Sequence, residues 1–487
     1  MNEKNETYRI IDEYEVKAEN IIAEVKIVDY PQEFVYIYEL IILNISEVTL
    51  ALLNKVKEEF ISKINIGLIE SGFAKNYEGI KKQFTEELKK IIKKYMPHID
   101  KETANFLISH LIRENLGLGK IEILLKDKNI EEIVINNSKE PVWVYHRKYG
   151  WLKTNILVDD ERRIRHYATM IGRGVGKDIT ILNPLMDASL RTGDRVNATL
   201  YPISTKGNTL TIRKFSDKPW TIVDLIKNNT ISSDVAAWIW LCVEYELSII
   251  IAGGTASGKT SMLNAISNFF PPNQRIVSVE DTRELTLPDV LHWVPLETRL
   301  PNPEGKGEVT MLDLIVNSLR MRPDRIIVGE IRRKREAEVL FEAMHTGHSV
   351  YATLHANNAH EVINRMTNPP INIPKILLSA IGLIVVQYRN RRTGKRVTLQ
   401  LAEILESGDE RVFYQYNVSK GKFELLRKPN RIINTINLYT GMSYDQIMKE
   451  IEEKKRILDW MVKKDITDIN KIGLLISRYY RMKRKNE

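Results

Sequence analysis

Between Ala23 and Ile27 apolar and polar residues alternate, Pro31 turns the chain, and Phe34 to Leu40 is apolar and rich in β-formers. Residues 20–43 therefore read as a strand pair. From Ser46 the spacing becomes helical. Phe84, Leu88, Ile91, Ile92 and Tyr95 fall on one stripe with lysines and glutamates opposite, as in an amphipathic helix. The pattern predicts a separate α/β module over residues 1–100. No catalytic grouping stands out in it, so docking or regulation is its natural role.

A second unit is expected over residues 101–221. A helix at Thr103–Asn115 precedes a strand at Ile130–Ile135, and Trp143–His146 with Gly150-Trp151 suggests a hairpin. A helix near Glu161–Ile171 and strands near Thr199 and Leu210–Phe215 follow. Asp217-Lys218-Pro219-Trp220 reads as a linker. Three arginines, Arg191, Arg195 and Arg213, fall at turns or strand ends.

Over residues 222–405 strands alternate with helices, which predicts a mainly parallel sheet covered on both faces, an α/β fold. The expected strands are Ser248–Ala252, Ile276–Val279, Arg325–Val328 and Ser349–Thr353, and polar residues follow each at once. Open α/β sheets bind ligands beyond the carboxyl ends of their strands, so these polar residues should converge. Residues 406–487 read as a C-terminal hairpin (Arg411 to Leu426) with helices from Tyr444 onward.

The first of those strand ends carries the clearest chemistry. Gly253-Gly254-Thr255-Ala256-Ser257-Gly258-Lys259-Thr260 meets the pattern G-x-x-x-x-G-K-[ST], with Ser261 next in the helix. The glycines let successive backbone N–H groups curl around one point, and the following helix adds its positive end there. In this pattern Lys259 reaches the β- and γ-phosphates, and the Thr260 hydroxyl meets Mg²⁺. A nucleoside triphosphate, ATP with Mg²⁺, is the expected ligand. Phosphoryl transfer to water then needs a placed metal, an oriented water and positive charge at the γ-phosphate. Glu330 follows an apolar strand and suits the metal shell or the attacking water. Glu280, Asp281 and Glu284 form an acidic box after another strand. Glu284 is the candidate for polarising the water, and Glu280 the candidate nearer the metal. His355 either senses the γ-phosphate through a ring N–H or is a structural histidine; His348 is the more structural of the two.

Composition changes little in this picture. Hydrophobic residues make up 43% and charged residues 28%, as in a folded globular protein. The polar, acidic start is not a secretory signal, and the apolar run Ile376–Val386 is too short to cross a bilayer. A cytoplasmic protein is expected. The single cysteine, Cys242, rules out an internal disulfide and a multi-cysteine zinc site. The excess of 72 Lys+Arg over 63 Asp+Glu suits anionic lipid, nucleic acid or an acidic partner equally. It concentrates in Arg389–Arg396 and Arg478–Lys485, both of which solvated charge explains.

GGTASGKT, VSVEDTRELTL, SLRMRPDRIIVGEIR and GHSVYATLHANNA occur in that order. Together they resemble the Walker A, Asp box, Walker B and His box of the type II/IV secretion ATPase superfamily. VEDTREL, with KIEILLKDKNIEEIVIN and VYHRKYGWLKTNI upstream, is most similar to archaeal members that assemble archaella or type IV pili. The resemblance covers roughly residues 105–405. It implies a RecA-like ATPase domain preceded by a smaller α/β domain, and a homo-hexamer acting on a polytopic membrane platform. It implies a location on the inner face of the cell membrane, with anionic lipid a further partner and no nucleic acid. By position it makes Arg191 and Arg195 a charge-neutralising pair, with Arg213 a third nucleotide contact. Arg320 and Arg322 are weaker candidates. Arg333 stands where many relatives carry a small or acidic residue. A conjugation-type or type II secretion ATPase, and a RecA-like nucleic-acid translocase, are the alternatives.

Overall fold

The computed structural model describes residues 8–18, 21–42, 52–53, 55–60, 77–190, 192–215, 218–301 and 305–486. Arg191, Ser46 and Asp217, each used above, lie outside them. The chain divides into two compact units, Met1–Ser216 and Asp217–Glu487.

The first unit is built on one nine-stranded sheet. Its strands are β1 (Arg9–Ala18), β2 (Ile21–Asp29), β3 (Ile37–Ile42), β4 (Ile130–Ile135), β5 (Trp143–His146), β6 (Gly150–Thr154), β7 (Leu185–Ser189), β8 (Arg195–Thr199) and β9 (Thr209–Arg213). Their spatial order is β1-β2-β3-β6-β5-β4-β9-β8-β7. The sequence reading ended a module at residue 100, yet β3 pairs in parallel with β6, Ile37 opposite Lys153. Side chains join the same two segments. Asp127 is buried and accepts hydrogen bonds from the hydroxyls of Tyr14 (2.7 Å) and Tyr38 (2.8 Å). The apolar faces of β2 and β3, with Leu88, Ile91 and Ile92 of the helix Tyr77–Tyr95, enter the core that Ile133, Val144 and Ile212 also line. Strand β1 opens on Arg9-Ile10-Ile11 and is not among the elements the sequence predicts. Only Val16 and Ala18 near its end are buried.

The second unit is built on another nine-stranded sheet. The strands are β10 (Ser248–Gly253), β11 (Arg275–Glu280), β12 (His292–Glu297), β13 (Arg325–Val328), β14 (Ser349–Leu354), β15 (Ile381–Arg389), β16 (Arg396–Ile404), β17 (Glu410–Asn417) and β18 (Lys422–Leu425). Their order is β12-β11-β13-β14-β10-β15-β16-β17-β18. Neighbours from β12 to β15 pair in parallel, and β15 to β18 pair antiparallel. Strand β10 is central, and all six of its residues are buried. That explains its unbroken apolar run, since both faces of a parallel sheet are covered by helices. The run Ile376–Val386, weighed above only for its length, supplies most of β15. The hairpin expected as a separate C-terminal element extends this same sheet.

The C-terminal helices pack back onto the unit. Trp240 Nε1 donates to the Tyr480 hydroxyl (2.9 Å), which donates in turn to the Phe269 carbonyl (2.7 Å). Cys242 is buried in this helix layer with a free thiol. Among the described residues, no helix is long and apolar enough to cross a membrane.

Candidate functional site

At the end of β10 the chain leaves the sheet at Gly253 and re-enters regular structure as the helix Lys259–Ser267. A Cβ on Gly253 would lie 2.3 Å from Ser257 Oγ and 2.6 Å from the Gln387 carbonyl, so only glycine fits there. Gly258 caps the helix at φ 95°, and Ala256 sits at φ 57°. The left-handed region is uncommon for a non-glycine residue and clusters where a function demands it. The Ser257 hydroxyl donates to the Gly254 carbonyl (2.8 Å) and ties the turn.

Lys259 Nζ folds back across this loop and donates to the carbonyls of Gly253 (2.9 Å) and Gly254 (3.0 Å). Burial holds its pKa below the usual lysine value, against the opposing pull of the Glu330 and Glu284 charges. Thr260 and Ser261, half-buried, begin the helix.

The ends of β14 and β13 come together at this lysine. His355, just past β14, places Nε2 3.5 Å from Lys259 Nζ and 3.3 Å from Glu330 Oε1. With Nε2 unprotonated the ring accepts from the ammonium; in the other tautomer it donates to the carboxylate. Burial and the Lys259 charge lower its pKa, which favours the neutral ring. Glu330, past β13, keeps 18% of its side chain exposed. Glu280, the last residue of β11, is buried and accepts from the backbone N–H groups of Glu284 (2.9 Å) and Leu285 (3.1 Å) through Oε1. Its Oε2 is buried with no hydrogen-bond partner among the described residues. Burial raises its pKa to about 7, outweighing those two N–H donors.

Of the residues expected from the sequence, the structure thus brings Lys259, Glu330 and His355 into direct reach. Glu284 lies near enough for its charge to act on Lys259. Glu280 faces inward and caps its own turn rather than standing open to the loop. His348 places Nδ1 3.2 Å from the Ala343 carbonyl and 3.2 Å from the Thr346 hydroxyl. Arg195 and Arg213 belong to the first unit. They are cross-strand partners on β8 and β9, and Arg195 lies 3.7 Å from Asp187. Arg320 and Arg322 are exposed on the turn before β13. Arg333 is exposed, and its backbone N–H donates to Glu336 at the start of the helix Lys334–His345.

Two arginines were missed. Arg332 donates from Nε to Glu330 Oε2 (2.8 Å) and from a terminal nitrogen to Asp281 Oδ2 (2.6 Å). Its signal was its place two residues after Glu330, from which a long side chain reaches back. Arg396, at the start of β16, donates from Nε to the Ala256 carbonyl (3.0 Å). It had been counted only as part of a basic cluster.

The donor set fits a nucleoside triphosphate and its metal. The curled loop, a desolvated lysine and a helix N-terminus form an anion cradle. Among the described residues no three His, Cys, Asp or Glu side chains group as a metal cage. A magnesium ion held by substrate phosphates and water needs only one or two protein oxygens. Thr260, at the start of the helix, and Glu330 would supply them.

An uncharacterized protein of Methanocaldococcus jannaschii is 36% identical over 383 residues, covering 76% of this chain and 69% of that one. A putative conjugal transfer protein of Mycobacterium tuberculosis is 35% identical over 261 residues, covering 52% and 73% respectively. Among solved structures, the ATPase DotB of Yersinia pseudotuberculosis is 17% identical at a TM-score of 0.45, covering 76% of this chain and 94% of that one. The family model described as type II/IV secretion system protein matches residues 187–436, from β7 of the first unit through the whole parallel sheet of the second, and the chain belongs to that family.

Proposed function

We propose that this protein is a hexameric, Mg²⁺-dependent ATPase that powers assembly of an archaeal type IV pilus-like filament, an adhesive pilus or an archaellum, at a membrane platform. The observation that carries the hydrolytic part is the contact of Lys259, His355 and Glu330 at the ends of three neighbouring strands. Membership of the secretion family and the M. jannaschii relative support the rest. In this reading the loop and Lys259 hold the phosphates, and Thr260 and Glu330 place the metal, which neutralises charge developing on the transferred group. Glu284 polarises the water, and neutral His355 reports on the γ-phosphate. Arg191, Arg195 and Arg213 bring positive charge, for which the arginine fork is suited. The chain works from the cytoplasmic face of the membrane, where its basic clusters meet anionic lipid. A conjugation-type secretion ATPase is the second reading, favoured by the name of the M. tuberculosis relative.

The test is the ATPase rate of the purified chain alone, with anionic vesicles and with single-stranded DNA, using Lys259→Ala as the blank. Turnover lost in Lys259→Ala, nucleotide binding retained in Glu330→Gln, and stimulation by vesicles but not DNA are the expected results. Full turnover in Lys259→Ala would remove the ATPase reading, and stimulation by DNA alone would replace the filament motor with a nucleic-acid translocase.

A further inference from the structure

In the sequence, solvated charge explains the basic run Arg389–Arg396. The structure puts its last residue against the phosphate loop. Arg396 opens β16, which pairs with β15, and β15 pairs directly with β10. Across 140 positions of sequence, Arg396 Nε donates to the Ala256 carbonyl at 3.0 Å, and Arg396 Cδ comes within 3.8 Å of where a Gly258 Cβ would stand. Among the described residues no acidic side chain pairs with its guanidinium.

Two geometric facts say what it faces. In a trans peptide the C=O and N–H point to opposite sides. The peptide between Ala256 and Ser257 turns its N–H inward to the Gly254 carbonyl (3.3 Å) and its C=O outward to Arg396, so the guanidinium lies on the outer flank of the loop, away from the Gly254 carbonyl that Lys259 holds. The sheet order sets the direction of the ligand. Lys259 meets Glu330 and His355 on the β13–β14 side of β10, and β15 and β16 lie on the other side. A triphosphate with its γ end toward Glu330 therefore leads its nucleoside end out toward β15 and β16, where Arg396 waits.

We propose that Arg396 is a nucleobase-contacting residue, its guanidinium plane stacked on the purine of the bound nucleotide while Nε stays on the Ala256 carbonyl. Arginine suits both tasks, being planar, weakly hydrated and permanently charged, and cations over aromatic faces attract. The inference rests on the nucleotide reading above and adds to it the residue that contacts the base. It also joins the two ends of the site, because the same guanidinium that meets the base supports the apex of the phosphate loop.

The experiment compares equilibrium binding of ATP and of inorganic tripolyphosphate, which has no base, to the full chain and its variants. In Arg396→Ala the ratio of ATP affinity to tripolyphosphate affinity falls about 3- to 30-fold, the range of a cation–π contact. In Arg396→Lys, which keeps a donor for the Ala256 carbonyl but loses the plane, the ratio falls as well. Lys259→Ala weakens both ligands together. A ratio unchanged in Arg396→Ala overturns the base contact, even if both affinities drop through a loosened loop. Binding of neither ligand by the unaltered chain overturns instead the nucleotide reading itself. Thermal melting of each variant separates these results from loss of fold.

Discussion

Arg332 holds Glu330 from two nitrogens, Nε at 2.8 Å and a terminal nitrogen at 2.6 Å, and grips Asp281 with the other at 2.6 Å. One arginine thereby spans the ends of β11 and β13 and fixes the carboxylate that faces His355 and Lys259. Both nitrogens reach the same oxygen, Oε2, which leaves Oε1 to His355, and charge-assisted contacts of this kind are shorter and stronger than neutral ones. Glu330 is thus held from one side by Arg332 and from the other by His355.

Removing that grip should disturb catalysis more than binding. A misplacement of about 1 Å at a reacting group can cost about 100-fold in rate. In Arg332→Ala we expect kcat for ATP to fall about 10- to 100-fold with KM changed less than about 3-fold. Asp281→Asn, which loosens only the far end of the bridge, should show a smaller effect of the same kind. A rise in KM with kcat intact would mean that Arg332 binds nucleotide and does not position Glu330.

The two glycines that open and close the loop fail for different reasons when given a side chain. Gly253→Ala places a methyl against Ser257 Oγ and the Gln387 carbonyl, and the second of these is backbone that cannot turn aside. A destabilisation of about 1–3 kcal/mol is expected, the usual cost of overpacking. Gly258→Ala meets nothing closer than 3.8 Å, so its cost is the left-handed φ alone, about 1–2 kcal/mol. Thermal unfolding of both variants checks this. Gly253→Ala melting with the unaltered protein would show that the loop is not seated on β15.

The loop and the strand ends were legible because their chemistry sits in contiguous residues: Gly253 to Thr260 is one run, and Glu280, Glu330 and His355 each follow an apolar strand. What was not legible depends on pairing between distant strands. Arg396 reaches Ala256 only because β15 lies beside β10, and β15 was hidden in an apolar run whose periodicity does not distinguish strand from helix. The boundary drawn at residue 100 followed a change of local pattern. Asp127 accepting from Tyr14 and Tyr38, 113 and 89 positions away, leaves no trace in either segment's periodicity. Arg195 and Arg213, 18 positions apart in sequence, face each other across β8 and β9, a pairing that neither segment's local pattern carries.

Glu280 gives the site a pH signature. Its carboxyl titrates near pH 7 in the folded chain, against an ordinary value of 4.5. The folded state therefore binds its proton more tightly than the unfolded state does. Stability from this group is full below pH 4.5 and is lost as pH rises through 7, on the order of 3 kcal/mol across the window. Glu280→Gln mimics the protonated form, still accepting from Glu284 and Leu285. Its melting temperature relative to the unaltered protein should thus rise between pH 5 and pH 8.5. A difference that stays flat across that range would show that Glu280 ionises as an ordinary carboxylate.

The C-terminal helices should depend on a buried charge cluster. Lys454 is fully buried, with Nζ 2.7 Å from Glu244 and 3.1 Å from Glu450; Lys483 lies 2.7 Å and 2.6 Å from the same two carboxylates. The cluster joins the helix Tyr444–Lys463 and the helix Ile469–Asn486 to the helix Ser233–Glu244 that precedes β10. Breaking a buried pair from one side strands the other charge, which costs about 3–5 kcal/mol, whereas replacing both partners by apolar groups of like volume is often neutral. Lys454→Met should therefore lower stability to urea by about 3 kcal/mol, moderated by the Lys483 that remains. Lys454→Met combined with Glu450→Met, which removes one charge of each sign, should recover most of that loss. Equal stability of Lys454→Met and the unaltered chain would mean that Lys483 alone neutralises both carboxylates. A double variant less stable than the single one would mean that the cluster contributes net stability as an ionic unit.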